Sequence, residues 1–213
     1  MSTATKQKIL DIAADLYNRK GVSNVTMRDI AAEAGISPGN LAYHYRNHDF
    51  IIEALFRQME QEREAILKGV QQIPSFENIN HQILPLLETA QKYRFFHLDA
   101  VHIFRTYPAI AELQREYFNN SIQYVRAVID LSVGMGTCLP EHRPGQFQRL
   151  AHTVWMLMTF WLEQLTIRGR EDLGVAELQH SIWDLVVPHL TEKGRHQLQK
   201  LYILEDASTE ISH

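Results

Sequence analysis

Apolar residues recur at spacings of three and four from one end of the chain to the other. No stretch sustains the alternation that a half-buried strand needs, and Asn-Gly and Asp-Gly hairpin turns are absent. The pattern predicts an all-α fold of about nine or ten helices. Ile9, Ile12, Ala13, Leu16 and Tyr17 form the first stripe, closed by Arg19-Lys20-Gly21, a basic last turn and a glycine cap. Thr26-Met27-Arg28-Asp29 has the form of a capping box ahead of Ile30 and Ala31. Gly35 ends that short helix. Ser37 caps the next, with Pro38 at the first helical position, where a missing N–H costs nothing. A longer pattern runs from Asn47 to about Gln72 through Ile51, Leu55, Phe56, Met59, Ile66, Leu67 and Val70, and breaks at Pro74-Ser75. Further helices are expected at 76–92 with a kink at Pro85, at about 97–106, from 108 to about 133, at Gln146–Arg168, at Val175–His189 ended by Pro188, and from Thr191 to about Leu204. Ser132–Gly145, with three glycines and two prolines, is the longest expected loop, and the tail Glu205–His213 is expected to fray.

Two helices of about eight residues joined through one glycine make a helix-turn-helix. Ala31 and Ala32 permit close approach of the second helix, and Ile30, Ile36 and Leu41 are placed to pin both to the first stripe. A second helix this short needs only to fit a major groove and present its N-terminal turn. Pro38 and Gly39 keep that turn free of bulk, and its N–H groups favour a phosphate. Tyr43 and His44 carry donors that reach backbone phosphates, while Tyr45 is expected to turn inward.

Charge changes this picture only slightly. The 213 residues carry a net charge of −4, which alone argues against nucleic acid. Residues 1–49 hold six Lys and Arg against five acids, and the remainder fifteen against twenty, so the asymmetry has the sign of a DNA-binding head on an acidic body. A single cysteine, Cys138, rules out an intrachain disulfide and fits a reducing compartment. The first twenty residues lack the apolar core of a signal peptide. The longest strongly apolar run, Val154–Leu162, is far short of the ~20 residues of a membrane span, so a cytoplasmic protein without a membrane partner is expected.

The segment from residue 6 to residue 57 resembles the TetR family of bacterial transcriptional regulators. The likeness is carried by Ile9-Leu10, Ala13, Leu16-Tyr17 and Gly21, then by Val25 through Ala31, Ala34-Gly35-Ile36-Ser37, Gly39, Leu41, Tyr43 through Asn47, Asp49, Ile52 and Leu55. Two positions depart from the family pattern: Ala42 stands where tyrosine is common, and His48 where a phosphate-contacting lysine is common. The resemblance implies a homodimer with a DNA-binding head at 1–47 and a helical effector-binding and dimerisation body at 48–213, joined by a connecting helix at about 47–72. The residues expected to face double-stranded DNA are Thr26, Arg28, Ser37, Pro38, Gly39, Asn40, Tyr43, His44, Arg46 and His48. Asn40 is the expected base reader, since an amide pairs bidentately with adenine.

In the body, Gln146–Arg168 is apolar around nearly its whole circumference, and Val175–His189 has a second apolar face. Trp155, Trp161, Leu165, Leu178, Ile182, Trp183 and Val186 are expected at a two-fold interface built as a four-helix bundle. An effector pocket is expected between the connecting and middle helices, lined by Phe96, His97, His102, Tyr117, Tyr124, Trp155 and Met158, and suited to a mostly apolar or aromatic molecule. His97 and His102 stand five apart, a spacing that does not place two ligands on one helical face, so no metal and no other cofactor is expected. Motifs for acyl transfer or nucleotide binding are missing, so an enzyme is not expected. The reading is a ligand-responsive regulator, a repressor on a pseudo-palindromic operator released by a small effector. The alternative is a DNA-bound protein of the same fold whose body recruits a protein partner without any small molecule.

Overall fold

The computed structural model describes residues 3–68 and 75–210, with the backbone alone for residues 3 and 202–210. Among the described residues the chain is helical throughout, and its one β feature is an isolated antiparallel bridge between Cys138 and Leu190. The helices are α1 (Thr3–Lys20), α2 (Met27–Ala34), α3 (Pro38–His44), α4 (His48–Lys68), α5 (Phe76–Lys92), α6 (Arg94–Leu98), α7 (Ala100–Thr106), α8 (Pro108–Gly134), α9 (Gln146–Thr159), α10 (Trp161–Ile167), α11 (Val175–Val186) and α12 (Glu192–Glu210). Single 3-10 turns span Val22–Asn24 and Val187–His189.

The expected elements are present, but two of them are divided. The helix expected at about 97–106 is split into α6 and α7 at Asp99 (φ −102°, ψ 15°). There the Asp99 carboxylate accepts the Val22 N–H at 2.9 Å, which satisfies a donor that the 3-10 turn leaves open. Gln146–Arg168 is split at Phe160 (φ −99°, ψ 16°). Beyond that break the Trp161 indole donates to the Leu173 carbonyl at 2.8 Å and is buried. The last helix runs on to Glu210 rather than stopping near Leu204. Val70, the expected end near Gln72 and the break at Pro74 lie outside the described residues.

The chain forms two compact units, a different division from the sequence boundary at 47. One holds residues up to 65 together with 88–116; the other holds 66–87 together with 117 onward. In the first unit the α1 stripe, including Ile9, Ala13, Leu16 and Tyr17, is almost wholly buried against Ile30 and Ala31 of α2, Leu41 of α3 and Ile51, Ile52 and Leu55 of α4. Each such aliphatic side chain contributes about 1.5–3 kcal/mol by leaving water. Phe95 and Phe96 of α6, Ile103 of α7 and Ile110 of α8 complete this core.

The second unit packs Phe76, Trp183, Leu190, Leu198 and Leu201 around Cys138. Its long loop is tied down by backbone bonds: Leu139 N–H to the His189 carbonyl at 2.8 Å and Thr191 N–H to the Thr137 carbonyl at 3.0 Å. This closeness makes Gly194 obligatory, because any Cβ there would lie inside the van der Waals radius of the Thr137 carbonyl oxygen. Gly194→Ala is therefore expected to cost about 2 kcal/mol, seen as a lower urea midpoint. Gly134→Ala, with nothing within 4 Å of the new methyl, should leave the midpoint unchanged or raise it.

Candidate nucleic-acid interface and body cavity

Local chemistry fixes the helix-turn-helix. Thr26 Oγ1 accepts the Asp29 N–H at 3.2 Å, and the Asp29 carboxylate accepts the Thr26 N–H at 2.8 Å, closing a reciprocal capping box. The Thr26 hydroxyl also donates to the Asp29 carboxylate at 2.6 Å, and this bond, followed by the one from the Thr26 N–H, holds the carboxyl below the usual carboxylate range. Gly35 takes the left-handed conformation (φ 69°, ψ 31°), so its N–H bonds back into α2 while Ile36 N–H reaches the Ala31 carbonyl at 3.0 Å. Ser37 Oγ then accepts the Asn40 N–H at 3.2 Å, with Pro38 in the first turn.

The outer face displays most of the residues expected to face DNA. Thr26, Arg28, Ser37, Pro38, Gly39, Asn40, Tyr43 and Arg46 are exposed, and His44 is half-buried with its ring edge-on to Tyr43. Among the described residues Arg28 and Arg46 pair with no carboxylate, whereas Arg19 pairs with Asp15 and Arg57 with Glu53. Tyr45 turns inward as expected, 9% exposed.

His48 does not join this face. Its Nε2 lies 3.0 Å from the Tyr17 hydroxyl and its Nδ1 2.8 Å from the Tyr107 hydroxyl, so both ring nitrogens are used inside the first unit. A neutral imidazole has one donor and one acceptor, so one tyrosine donates to it and the other accepts from it. Burial pushes the His48 pKa down; nearby Asp49 and the Val25 backbone push it up by less. The departure from the family lysine is thus an exchange of a phosphate contact for an internal strut. The signal for it in the sequence was Tyr17, a core stripe residue whose hydroxyl needs a buried partner.

The expected pocket and interface sets are also rearranged. Phe96 is core of the first unit, 5.4 Å edge-on from Phe56 and 4.3 Å from Phe95. His97 is half-buried in α6 and His102 is exposed on α7. In the second unit Tyr117, Trp155 and Met158 are half-buried, Trp155 meeting Phe118 edge to face at 4.7 Å. Of the expected set only Tyr124 borders an apolar cavity of about 110 Å³ in the second unit, between α5, α8, α9 and α11. Trp161, Leu165, Leu178, Ile182 and Trp183, expected at a subunit interface, are at most 7% exposed within one chain. Trp183 donates to Asn80 Oδ1 at 2.9 Å and packs on Phe76 at 5.0 Å, and Val186 borders the cavity. The exposed apolar residues of α9 and α10, together with Phe160 at the break between them, are Met156, Phe160 and Ile167, at 41%, 50% and 85%. Among the described residues no group of three His, Cys, Asp or Glu is arranged to hold a metal, and no helix is long and apolar enough to cross a membrane.

Comparison with known proteins covers the chain almost end to end. A family model described as bacterial regulatory proteins, tetR family, matches residues 9–55, and one described as a bacterial transcriptional repressor matches 58–198. YttP of Bacillus subtilis, described as a probable HTH-type transcriptional regulator, is 23% identical over 137 residues. That alignment takes in 64% of this chain and 66% of YttP, just under two thirds of the relative's length. A TetR-family transcriptional regulator from Marinobacter aquaeolei has a TM-score of 0.82 at 28% identity, covering 94% of this chain and 97% of that one. A chain from Saccharomonospora viridis described as a transcriptional regulator, in complex with choline, shares the fold at a TM-score of 0.70 and 20% identity, covering 90% of this chain and all of that one.

The position of His48 reverses an expectation about pH. Its folded pKa lies below its ordinary 6.5, so the stability it contributes is complete above that value and is lost as pH falls through the lowered one. Glu60 on the same helix acts in the opposite sense. Burial raises its carboxyl to about 7, so its contribution is present at low pH and lost as pH rises through neutrality. In urea unfolding at fixed salt, wild type should lose more stability than His48→Gln between about pH 7.5 and about pH 5, with Glu60 cancelling in the difference. Parallel profiles would place His48 in solvent. His48→Lys should destabilise by about 1–3 kcal/mol, because it leaves tyrosine hydroxyls mispaired, rather than tighten DNA binding.

Proposed function

Because the chain belongs to the TetR family of bacterial transcriptional regulators, we propose that it is a cytoplasmic repressor, binding a pseudo-palindromic operator as a homodimer and released by a small, mostly apolar or aromatic effector. The observation that carries the reading is the exposed outer face of α2 and α3, held rigid by its two caps and by Gly35. Asn40 reads a base edge, and Arg28, Tyr43, His44 and Arg46 engage phosphates on either side. Two such faces related by a two-fold axis call for two equivalent half-sites.

The apolar cavity of the second unit supports an effector-responsive body over one that only recruits a protein. The same-fold neighbour that holds choline supports it as well. For self-association the reading rests on Met156, Phe160 and Ile167, since the tryptophans of these helices are covered by their own chain or half-buried.

Two measurements test it, with flanking intergenic DNA as the probe. Asn40→Ala should lower the ratio of specific to non-specific binding by about tenfold while leaving non-specific affinity and its salt slope alone. An unchanged ratio would remove Asn40 as a reader. Phe160→Glu should convert a sedimenting dimer into a folded monomer, and wild type that sediments as a monomer at micromolar concentration would defeat the dimeric reading.

A further inference from the structure

The apolar cavity of about 110 Å³ in the second unit has no charged side chain in its lining. Its walls come from Phe76 of α5, Val128 of α8, Val154 of α9 and Ile182 of α11, with the Trp183 indole packed at a tilt against Phe76. An ion placed there would lose much of its water without a counter-charge, a cost that pairing does not offset. An aromatic wall attracts cations weakly, but without a carboxylate it does not make good that loss.

Polar capacity in the lining is concentrated at one place. The Trp183 N–H is taken by Asn80, and the Ser132 hydroxyl donates to the Val128 carbonyl at 2.9 Å. Gln82, 7% exposed, accepts from the Tyr124 hydroxyl at 3.2 Å and donates to the Ile66 carbonyl at 3.4 Å. Both bonds are long, and Gln82 keeps a second amide hydrogen and Tyr124 an acceptor lone pair. A ligand hydroxyl or carbonyl can bond there without breaking a strong contact.

Size narrows the class further. An apolar cavity of about 150 Å³ accommodates benzene, so one of about 110 Å³ holds on the order of five non-hydrogen atoms as it stands, and a single-ring molecule enters with some outward movement of the lining. We propose that the effector is a compact, uncharged, largely apolar molecule with one hydrogen-bonding group, bound in this cavity with that group on Gln82 and Tyr124. The proposal rests on the effector-responsive reading above and adds the ligand class and the site.

Four probes of similar size and different charge test it by calorimetric titration of the full chain at neutral pH: benzyl alcohol, benzoate, benzylammonium and choline. Benzyl alcohol should bind at least about tenfold more tightly than any of the other three. Gln82→Leu should weaken benzyl alcohol about tenfold and leave toluene unchanged. Val154→Phe fills the cavity from α9 and should abolish binding. Val128→Phe fills it from α8 and serves as the check should the first variant fail to fold. Charged probes binding as well as benzyl alcohol, benzyl alcohol failing to bind at millimolar concentration, or either filled variant binding like wild type would each overturn the proposal. Release of operator DNA is measured separately. Binding without release would leave the site and ligand class standing and overturn only the effector-responsive reading.

Discussion

One side-chain amide holds the first unit together in a way no stripe of apolar residues could. Asn18, near the end of α1, donates to the Lys92 carbonyl at 2.8 Å and accepts the Phe95 N–H at 3.1 Å. It thereby caps the end of α5 and the start of α6 at once. One turn away the Asp99 carboxylate takes the Val22 N–H, and on the neighbouring face Tyr17, His48 and Tyr107 are joined in series. Glu62 adds a bond from Tyr93 and an ion pair with Lys92. The DNA-facing helices are thus set on a platform that includes α6, α7 and the start of α8. Removing one partner in such a network leaves another group, in most cases a half-buried one, without its bond and loosens more than one helix.

What was legible in the sequence and what was not divides along a physical line. Thr26 with Asp29, Gly35, and Ser37 with Pro38 act over three or four residues, so their order in the chain already contains their geometry. The same holds for Ile30, Ile36 and Leu41, whose spacing allows only one buried face. Long-range pairings left no such trace. Periodicity shows that Trp161 and Trp183 must be covered, but not that Leu173 and Asn80 of the same chain do it. The splits at Asp99 and Phe160 follow from the same blindness: Asp99 leaves its helix where its carboxylate takes a donor seventy-seven positions away. At His48 the family position says nothing of the two hydroxyls, Tyr17 and Tyr107, that its ring nitrogens meet.

The second unit shows how buried polarity is rationed. Asn80, Gln82, Ser132 and Thr137 are all buried, and the bonds of each run to a named neighbour. Satisfied pairs of this kind add little net stability but exclude alternative packings, because a shifted helix would strand them. Gly194 imposes the same discipline sterically, since α12 approaches the Thr137 carbonyl more closely than any Cβ allows. An apolar cavity inside so specified a unit is held open by its surroundings, which is the property the proposed effector site needs.

The energetics of release constrain how such a cavity can act. Moving a two-state equilibrium from 1:99 to 99:1 requires a preference of about 5.5 kcal/mol for one state. The best very small ligands gain at most about 1.5 kcal/mol per non-hydrogen atom, and typical ones several times less. A molecule of the size this cavity accepts therefore has to spend nearly all its affinity on discriminating between states. A neutral ligand brings no charge with which to do so, so the proposed reading requires a difference in packing, with the cavity misshapen or closed in the operator-bound form. α5 and α8, which line the cavity, also contribute residues to the first compact unit. The smaller the effector, the more completely release depends on the shape of the apolar wall. Variation at Val128, Val154 and Ile182 should then alter the coupling more than variation at any charged position of the second unit.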